Sequence, residues 1–282
     1  MTKVGVYGVA RIESLWFGPD GGHLYGLLSA WLPGVALCSL FLAALAALSA
    51  TGLRALVAQL VLASAGMLLY AIGVGQIQVT AAGLFYMVNS TLATCGLFLL
   101  AERVMMARGS DQDRIGSSRA RALPGQRLAL LYFVLAVAVV SMPPLSGFFG
   151  KLMLLKASIE LPHAAWWIGA ILLSSFLLLL ALARAGIELF WNRERCPQGS
   201  VEVRVNGLGG SRGLALWLCA GTLIGVAMAA APLARYTQAT AEQLAAPGQY
   251  INAVLSARPV PAAHDVRSEL RAREASAKEP QP

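Results

Sequence analysis

Charged residues are scarce in this sequence of 282 residues: Asp, Glu, Lys and Arg together make up 13%, whereas 57% of the residues are hydrophobic. An average soluble domain is about 25% charged. The mean hydropathy of +0.64 reflects the same excess of hydrophobic over charged residues. Because a water-soluble chain of this size cannot bury so much apolar side chain, the composition excludes a soluble globular domain and predicts an integral membrane protein.

Patterns that bind metals, nucleotides or redox cofactors are also missing. The four cysteines form no CxxC pair, and the three histidines lie outside the long apolar runs. The sequence contains no phosphate-binding glycine loop, no HExxH pair and no GxSxG elbow. We therefore expect no metal site and no cofactor. The formal charge of +8 comes from basic residues in short loops between apolar runs, so it predicts membrane orientation rather than nucleic-acid binding.

Five apolar runs are close to the roughly 20 residues that a helix needs to cross a bilayer. They span residues 30–50, 55–73, 79–101, 164–191 and 214–233. A sixth apolar region, 128–161, is interrupted by the sequence MPPLSG and is interpreted as one broken helix. The sequence thus predicts an all-α integral membrane protein with about six full transmembrane helices, one of them discontinuous at Pro143 and Pro144.

The two ends of the chain differ from this apolar middle. Residues 1–17 are interpreted as the end of a preceding transmembrane helix, because a spanning helix rarely begins at the initiator methionine of a chain. This interpretation predicts further sequence upstream. Residues 28–235 are expected to form the transmembrane domain. An interfacial amphipathic segment over 236–255 and a disordered tail over 256–282 complete the predicted organisation.

Two basic loops determine the predicted orientation. Loops 102–127 and 192–213 are rich in arginine, and positive residues concentrate on the cytoplasmic side of a membrane. Two predicted spans separate these loops, so both can lie on the same side. We expect a multi-pass protein of a bacterial-type inner membrane, with both loops cytoplasmic and the C-terminus on the outer side.

Lys151 lies just after the interruption, in the sequence MPPLSGFFGK. Pro143 and Pro144 remove two backbone donors, and Gly147 and Gly150 add backbone freedom. Irregular backbone at membrane depth persists only inside protein or against water, and a buried lysine exchanges its proton readily because burial disfavours the charged form. The combination predicts a proton site. The alternative is a structural kink with a lysine that extends to the membrane surface.

Other polar residues inside apolar runs are candidates for the same proton path. Lys3 lies within the membrane if its helix continues upstream, and otherwise it is a solvated terminal lysine. Ser64, Asn89 and Ser90 interrupt two apolar runs, and Ser146 lies at the break. Such side chains either line a water path or hydrogen-bond neighbouring helices together, and both roles stay open at this point.

Several of these segments resemble a known family. SMPPLSGFFGKLMLLKA is similar to the broken lysine helix of antiporter-like membrane subunits, which occur in respiratory complex I and in Mrp-type multisubunit sodium/proton antiporters. TKVGVYGVAR resembles an earlier lysine helix of the same proteins. LLALARAGIELFW and YTQATAEQLAAPGQYINAVL are most similar to the D subunit of the Mrp type. The resemblance covers residues 1–255, which correspond to the C-terminal half of such a protein.

The resemblance implies a proton-translocating subunit of a sodium/proton antiporter complex. Lys151 matches the family's proton-relay lysine, and Lys3 matches the lysine that joins two half-channels. Asn89 and Ser64 stand where relatives in complex I carry histidine, so water and neutral side chains would have to bridge the gap between the lysines. The implied partners are the other subunits of a hetero-oligomeric complex, the lipid bilayer, protons and monovalent cations.

Two alternatives to this interpretation are also consistent with the sequence. One is a proton-pumping membrane subunit of NADH:quinone oxidoreductase or of a related hydrogenase, powered by electron transfer elsewhere. The other is a truncated, non-conducting scaffold that only supports assembly. The main prediction is a transporter subunit rather than an enzyme, with the redox-driven translocase as the exception.

Overall fold

Helices account for nearly all of the chain that the structure, a computed structural model, describes. The described residues are 1–18, 22–108, 115, 126–143, 145–191 and 211–257. Within them, the α-helices are α1 (Thr2–Trp16), α2 (Leu27–Ser49), α3 (Leu53–Gly73), α4 (Ile77–Arg108), α5 (Gln126–Val140), α6 (Ser146–Ser158), α7 (Ala164–Gly186), α8 (Ser211–Met228), α9 (Ala230–Ala245) and α10 (Gly248–Leu255). The prediction of an all-α protein is confirmed.

The chain divides into two compact units. Residues 1–245 contain α1 to α9, and residues 246–282 contain α10. The predicted interfacial segment corresponds to parts of α9 and α10. The tail predicted for 256–282 falls outside the described residues except for 256 and 257, so its disorder stays a prediction.

Among the described residues, four helices are long and apolar enough to cross a membrane, as expected for a multi-pass membrane protein. They lie at Leu27–Ser49, Leu53–Gly73, Ile77–Met106 and Ala164–Phe190. The two predicted spans outside this set are interrupted ones. One is the broken helix, which consists of α5 with 15 residues and α6 with 13. The other consists of α8 and α9, which bend by 80° relative to each other and make up a fifth candidate span if they are counted together.

The bend between α8 and α9 differs from the single predicted span over 214–233. α8 ends at Met228 and α9 begins at Ala230. Pro232 lies in the first turn of α9, where its missing N–H is tolerated, but it cannot donate a hydrogen bond back to Met228. The chain therefore turns at this point, and α9 packs along α4 with Thr237, Ala241 and Leu244 buried.

α3 lies at the centre of the first unit, and α7 lies at its edge. In the most apolar stretch of α3, 67% is buried inside the protein, whereas in the corresponding stretch of α7 only 28% is buried. α3 packs closely on α2 because Gly66 has no side chain: a Cβ there would lie 2.8 Å from the Ala36 carbonyl oxygen. α4 in turn packs against α3, α5, α6, α8 and α9. Both α3 and α4 carry polar residues towards α1 and the broken helix.

Contacts at the helix ends define two opposite faces of the unit. At one face, Arg184 near the end of α7 donates to the Ala50 carbonyl oxygen between α2 and α3 at 2.7 Å. The backbone N–H of Ile115 donates to the Thr51 carbonyl oxygen at the same face, at 2.7 Å. At the other face, the hydroxyls of Tyr70 and Ser158 share a hydrogen bond of 2.9 Å. α4 and α7 therefore both end at the first face.

Candidate functional site

The broken helix leaves backbone carbonyl groups without their usual partners. α5 ends at Val140, and α6 begins only at Ser146. In a continuous helix the Val140 carbonyl would accept the N–H of residue 144, but that residue is proline, which has none. Met142 donates its N–H to the Val137 carbonyl at 3.0 Å. The Ala138 carbonyl, four residues before Met142, therefore does not accept this N–H. Pro144 itself lies outside the described residues.

Lys151 occupies one of these freed acceptors. Its Nζ donates to the Val140 carbonyl oxygen at 2.7 Å and to Ser175 Oγ at 3.0 Å. Its side chain is only 9% exposed. The hydroxyl of Ser175 donates in turn to the Ile171 carbonyl at 2.6 Å. We call Lys151, Ser175 and the Val140 carbonyl the Lys151 group; within the described residues it contains no carboxylate, so neutral oxygens alone hold the amine.

Asn89 and Ser146 form a second polar contact at the break. Asn89 Nδ2 donates to the Ala138 carbonyl oxygen at 3.0 Å, and Ser146 Oγ donates to Asn89 Oδ1 at 2.7 Å. Ser146 Oγ also lies 3.4 Å from the Leu223 carbonyl oxygen in α8. Both side chains are fully buried. Asn89 therefore joins α4 to the end of α5 and the start of α6, next to the carbonyl that holds Lys151.

Two glycines permit this close assembly. A Cβ at Gly147 would lie 2.5 Å from the Ala138 carbonyl oxygen and 2.6 Å from Asn89 Nδ2. A Cβ at Gly150 would lie 2.9 Å from Phe85 Cδ1. Because real Cβ atoms do not approach other atoms so closely, any side chain at Gly147 would force α6 away from α4 and α5. Pro143, by contrast, is exposed.

Lys3 is held by side chains rather than by backbone. Its Nζ donates to Ser64 Oγ at 2.6 Å and to Ser90 Oγ at 3.1 Å. Each serine donates its own hydroxyl within its helix, Ser64 to the Val61 carbonyl at 2.7 Å and Ser90 to the Met87 carbonyl at 3.2 Å. We call Lys3, Ser64 and Ser90 the Lys3 group. It links α1 to α3 and α4.

α4 lies between the two lysine groups. Ser90 contacts Lys3, whereas the neighbouring Asn89 contacts the break. Consecutive residues of an α-helix point about 100° apart, so one turn of α4 presents a polar side chain to each group. All six polar residues predicted from the sequence thus lie in contact with one another or with the break. No cluster of potential metal ligands occurs among the described residues.

Sequence reasoning missed Ser175, which accepts from Lys151. The only signal in the sequence is the Ser174–Ser175 pair within the apolar run of α7. It also missed the role of the Val140 carbonyl, since a backbone oxygen has no residue signature. The break shows where carbonyls are freed, but only the fold shows which of them the amine reaches.

Comparisons with known proteins identify relatives of this chain. Residues 1–181 match the family described as NADH:quinone oxidoreductase/Mrp antiporter, TM. The D subunit of a probable K⁺/H⁺ antiporter of Rhizobium meliloti is 30% identical, covering 91% of this chain and 51% of that protein. The D subunit of a Na⁺/H⁺ antiporter of Alkalihalophilus pseudofirmus is 25% identical, covering 90% and 50%. An N subunit of the NADH-quinone oxidoreductase of Acidobacterium capsulatum is 33% identical over 54% of this chain and 31% of its own length.

Solved structures share the same fold. The Mrp complex of Dietzia sp. matches with a TM-score of 0.72 at 20% identity, covering 90% of this chain and 53% of the matched chain. Respiratory complex I of Thermus thermophilus matches with a TM-score of 0.68 at 24% identity, covering 86% and 49%. The chain thus spans about half the length of the two antiporter relatives and of the solved structures it matches.

Proposed function

Because the chain belongs to the NADH:quinone oxidoreductase/Mrp antiporter family, we propose that it conducts protons as part of the D subunit of a multisubunit monovalent cation/proton antiporter. Two relatives named as antiporter D subunits align with about nine-tenths of the chain. The observation that carries the proposal is the buried Lys151 amine on the Val140 carbonyl freed by the break. The chain would act as a transporter subunit rather than as an enzyme.

The Lys151 group has the properties of a proton-exchange site. Its amine is held by a carbonyl and a hydroxyl, and no carboxylate within the described residues neutralises its charge. Removing a charged amine from water without a counter-charge disfavours the protonated form. The proton can therefore leave when an acceptor arrives, and the freed lone pair can take up another. Discontinuous helices place ion sites in many transporters for the same reason.

A path between the lysines would run through α4. Lys3 contacts Ser90, and Asn89 contacts the residues at the break beside the Lys151 group. We propose that water fills the step between Ser90 and Asn89, since these side chains point to different sides of the helix. Ser64 and Ser146 would line the two ends of this path. Neutral side chains and water would thus carry the proton at the two positions where the resemblance implies histidine.

The complex and its orientation are part of the same proposal. The partners would be the other subunits of a hetero-oligomeric antiporter in a bacterial-type inner membrane, and the cargo protons and a monovalent cation. The first face, where α4 and α7 end, would be cytoplasmic because the following loops, 102–127 and 192–213, are rich in arginine. The second face, which carries the connection between α3 and α4, would be the outer one.

Sodium-triggered collapse of a preformed pH gradient tests this function. Inverted vesicles would come from a host that lacks other antiporters and expresses the whole neighbouring gene cluster, with potassium tested in parallel. We expect Lys151→Ala to reduce the collapse by at least about tenfold, as for loss of a group that exchanges the proton directly. The matched control is Lys156→Ala, since Lys156 lies on the same helix but is exposed; it should leave the flux unchanged.

The rival functions give different results in this assay. A redox-driven pump requires an electron donor, so sodium and potassium alone would collapse nothing in the unsubstituted protein. A non-conducting scaffold would show the same flux with Lys151 intact and after Lys151→Ala, because only assembly matters. Equal fluxes in Lys151→Ala and Lys156→Ala would therefore reject proton conduction through this residue.

A further inference from the structure

A cavity of about 470 Å³ opens between the helix ends at the second face of the unit. It is lined by the ends of α1 and α3, the starts of α2 and α4, and apolar residues of α9. One water takes up roughly 30 Å³ in the liquid, so the cavity has room for on the order of ten waters. It lies apart from both lysine groups, and the proton path described above does not use it.

Glu13 is the only charged side chain among the described residues that line this cavity. It is half-buried, and within the described part of the chain its carboxylate has no hydrogen-bond or ion-pair partner. Its Oε1 lies 3.7 Å from the position that a Cβ of Gly75 would occupy. Gly75 has a φ of +70°, so the turn between α3 and α4 favours glycine and lies directly beside the carboxylate.

Besides the Tyr25 hydroxyl, three polar side chains of the cavity present acceptor oxygens. Ser14 donates its hydroxyl to the Arg11 carbonyl at 3.1 Å, Ser29 to the Gly26 carbonyl at 3.0 Å, and Thr80 to the Ala71 carbonyl at 3.3 Å. Because each hydroxyl hydrogen is committed to backbone, the lone pairs of these oxygens remain for a ligand. Hard oxygen donors of this kind bind alkali cations and their hydration water.

The helix dipoles do not determine the sign of the electrostatic potential in the cavity. α1 and α3 end at it and α2 and α4 begin at it, so partial negative and positive ends offset one another. The carboxylate therefore dominates the local field. A single carboxylate balances one positive charge, which favours a monovalent over a divalent cation.

An apolar constriction separates the cavity from the Lys3 group. A void of about 20 Å³ is lined mainly by apolar side chains such as Val6, Leu68 and Leu84. A closed cavity needs roughly 10–15 Å³ to hold one water, so this void admits a single one. It shares four lining residues with the large cavity, Ala10, Ile72, Thr80 and Leu244, and is also lined by Met87. The Met87 carbonyl accepts from Ser90, a member of the Lys3 group. Narrow apolar constrictions can block ions by excluding water.

We propose that the cavity at Glu13 is a binding vestibule for a hydrated monovalent metal cation, closed off from the Lys3 group by the apolar constriction. The site follows from the residues around Glu13 alone. Its use as the outer access point for the exchanged cation rests on the proposed function. Cations would gather at the carboxylate while protons move between the lysines, and the constriction would keep the two from mixing.

Charge-selective labelling of a cysteine tests the site without a transport assay. Ser29→Cys places a thiol at the cavity, in the complete complex with the four native cysteines replaced by alanine. Two membrane-impermeant methanethiosulfonates, one cationic and one anionic, are compared in right-side-out vesicles after correction for their rates with a free thiol. We expect the cationic reagent to react faster on the order of fivefold, and Glu13→Gln to remove this preference. Sodium or potassium should slow the cationic reagent more than choline does at equal ionic strength.

Ser49→Cys is the matched control, because Ser49 lies at the opposite end of α2 and makes the same hydroxyl-to-carbonyl bond, to Ala46 at 3.0 Å. Because the reagents do not cross the membrane and Ser49 lies at the first face, this control is labelled in inverted vesicles, where its labelling should not respond to Glu13→Gln. If Ser29→Cys does not accumulate in the membrane, Thr80→Cys takes its place. The proposal fails if the cavity thiol does not react, if Glu13→Gln leaves the preference unchanged, or if sodium and potassium protect no better than choline.

Flux measurements separate this proposal from the proposed function. If Lys151→Ala stops the sodium-triggered collapse and Glu13→Gln leaves it intact, proton conduction stands and the vestibule has no part in transport. If Lys151→Ala has no effect, the proposed function fails, and labelling still decides whether a cation binds at Glu13. A decrease in both variants, with the charge preference lost in Glu13→Gln, supports both proposals.

Discussion

Lys3 and Lys151 each present an amine to two neutral oxygen acceptors, but the acceptors come from different parts of the polypeptide. Lys3 uses the hydroxyls of Ser64 and Ser90, which stand on uninterrupted helices. Lys151 uses the Val140 carbonyl, which is available because the helix is broken, together with Ser175. An intact helix satisfies its own carbonyls, so it can serve an amine only through side chains.

The two arrangements also differ in burial. Lys151 is 9% exposed, whereas Lys3 is half-buried. The deeper amine has the acceptor that cannot be removed by changing a side chain, and the shallower amine depends on side chains alone. The Lys151 group should therefore be sensitive to the packing that shapes the break, and the Lys3 group to the identity of its serines.

The largest expected effect comes from testing whether the two lysines work in series. In the sodium-triggered collapse assay, we expect Lys3→Ala and Lys151→Ala each to reduce the flux by at least about tenfold, and the double variant to lose no more than the worse single one. A series path is already blocked by one missing site, so the second loss adds nothing.

An additive result would contradict this expectation. If the logarithms of the two single losses sum in the double variant, the lysines serve separate paths, and the α4 route between Ser90 and Asn89 is not used. Lys156→Ala, exposed on α6, accounts for any general effect of removing a positive charge.

A smaller effect, confined to the broken helix and the Lys151 group, is expected for Gly147→Ala. The added Cβ would meet the Ala138 carbonyl at 2.5 Å and Asn89 Nδ2 at 2.6 Å. Overpacking of this kind costs about 1–3 kcal/mol and should displace α6 together with Lys151. We expect a several-fold loss of flux and a lower midpoint of thermal unfolding for the purified complex in detergent.

Gly221→Ala is the matched control for this substitution. Gly221 lies in α8, and a Cβ there would have no atom within 4 Å, so the added methyl group should change neither flux nor unfolding. Equal behaviour of the two variants would mean that α6 can move without cost, and the close contact at Gly147 would then have no part in holding Lys151.

Much of this arrangement could be predicted from the sequence because it depends on strong local signals. Apolar runs locate the spans, and two consecutive prolines in an apolar run, seven residues before a lysine, locate the break. Ser64, Asn89 and Ser90 stand out as polar residues in apolar helices, where such residues usually have partners. That Ser64 and Ser90 contact Lys3 whereas Asn89 contacts the break could not be predicted, because it depends on which faces of α3 and α4 meet α1, α5 and α6.

The remaining features depend on long-range packing. The bend between α8 and α9 follows from Pro232, yet the apolar composition continues through it, so the hydropathy pattern predicts one span. Glu13 has no distinguishing sequence context, and the cavity beside it exists only because the ends of α1 and α3 meet the starts of α2 and α4. A backbone acceptor such as the Val140 carbonyl carries no sequence signal of its own.

Substitutions of the serine hydroxyls should have the smallest effects, and they distinguish the Lys151 group from the Lys3 group. Ser175→Ala removes one acceptor from Lys151 but leaves the Val140 carbonyl, so the flux should fall by only about twofold, as for one neutral hydrogen bond. The double variant Ser64→Ala/Ser90→Ala removes both acceptors that hold Lys3, and a loss of roughly fivefold is expected on the same scale. Ser49→Ala, at an exposed serine of α2, controls for the loss of a helix hydroxyl. A loss in Ser175→Ala as large as in the double serine variant would show that the backbone carbonyl does not hold the Lys151 amine, and that both lysines depend on side-chain acceptors alike.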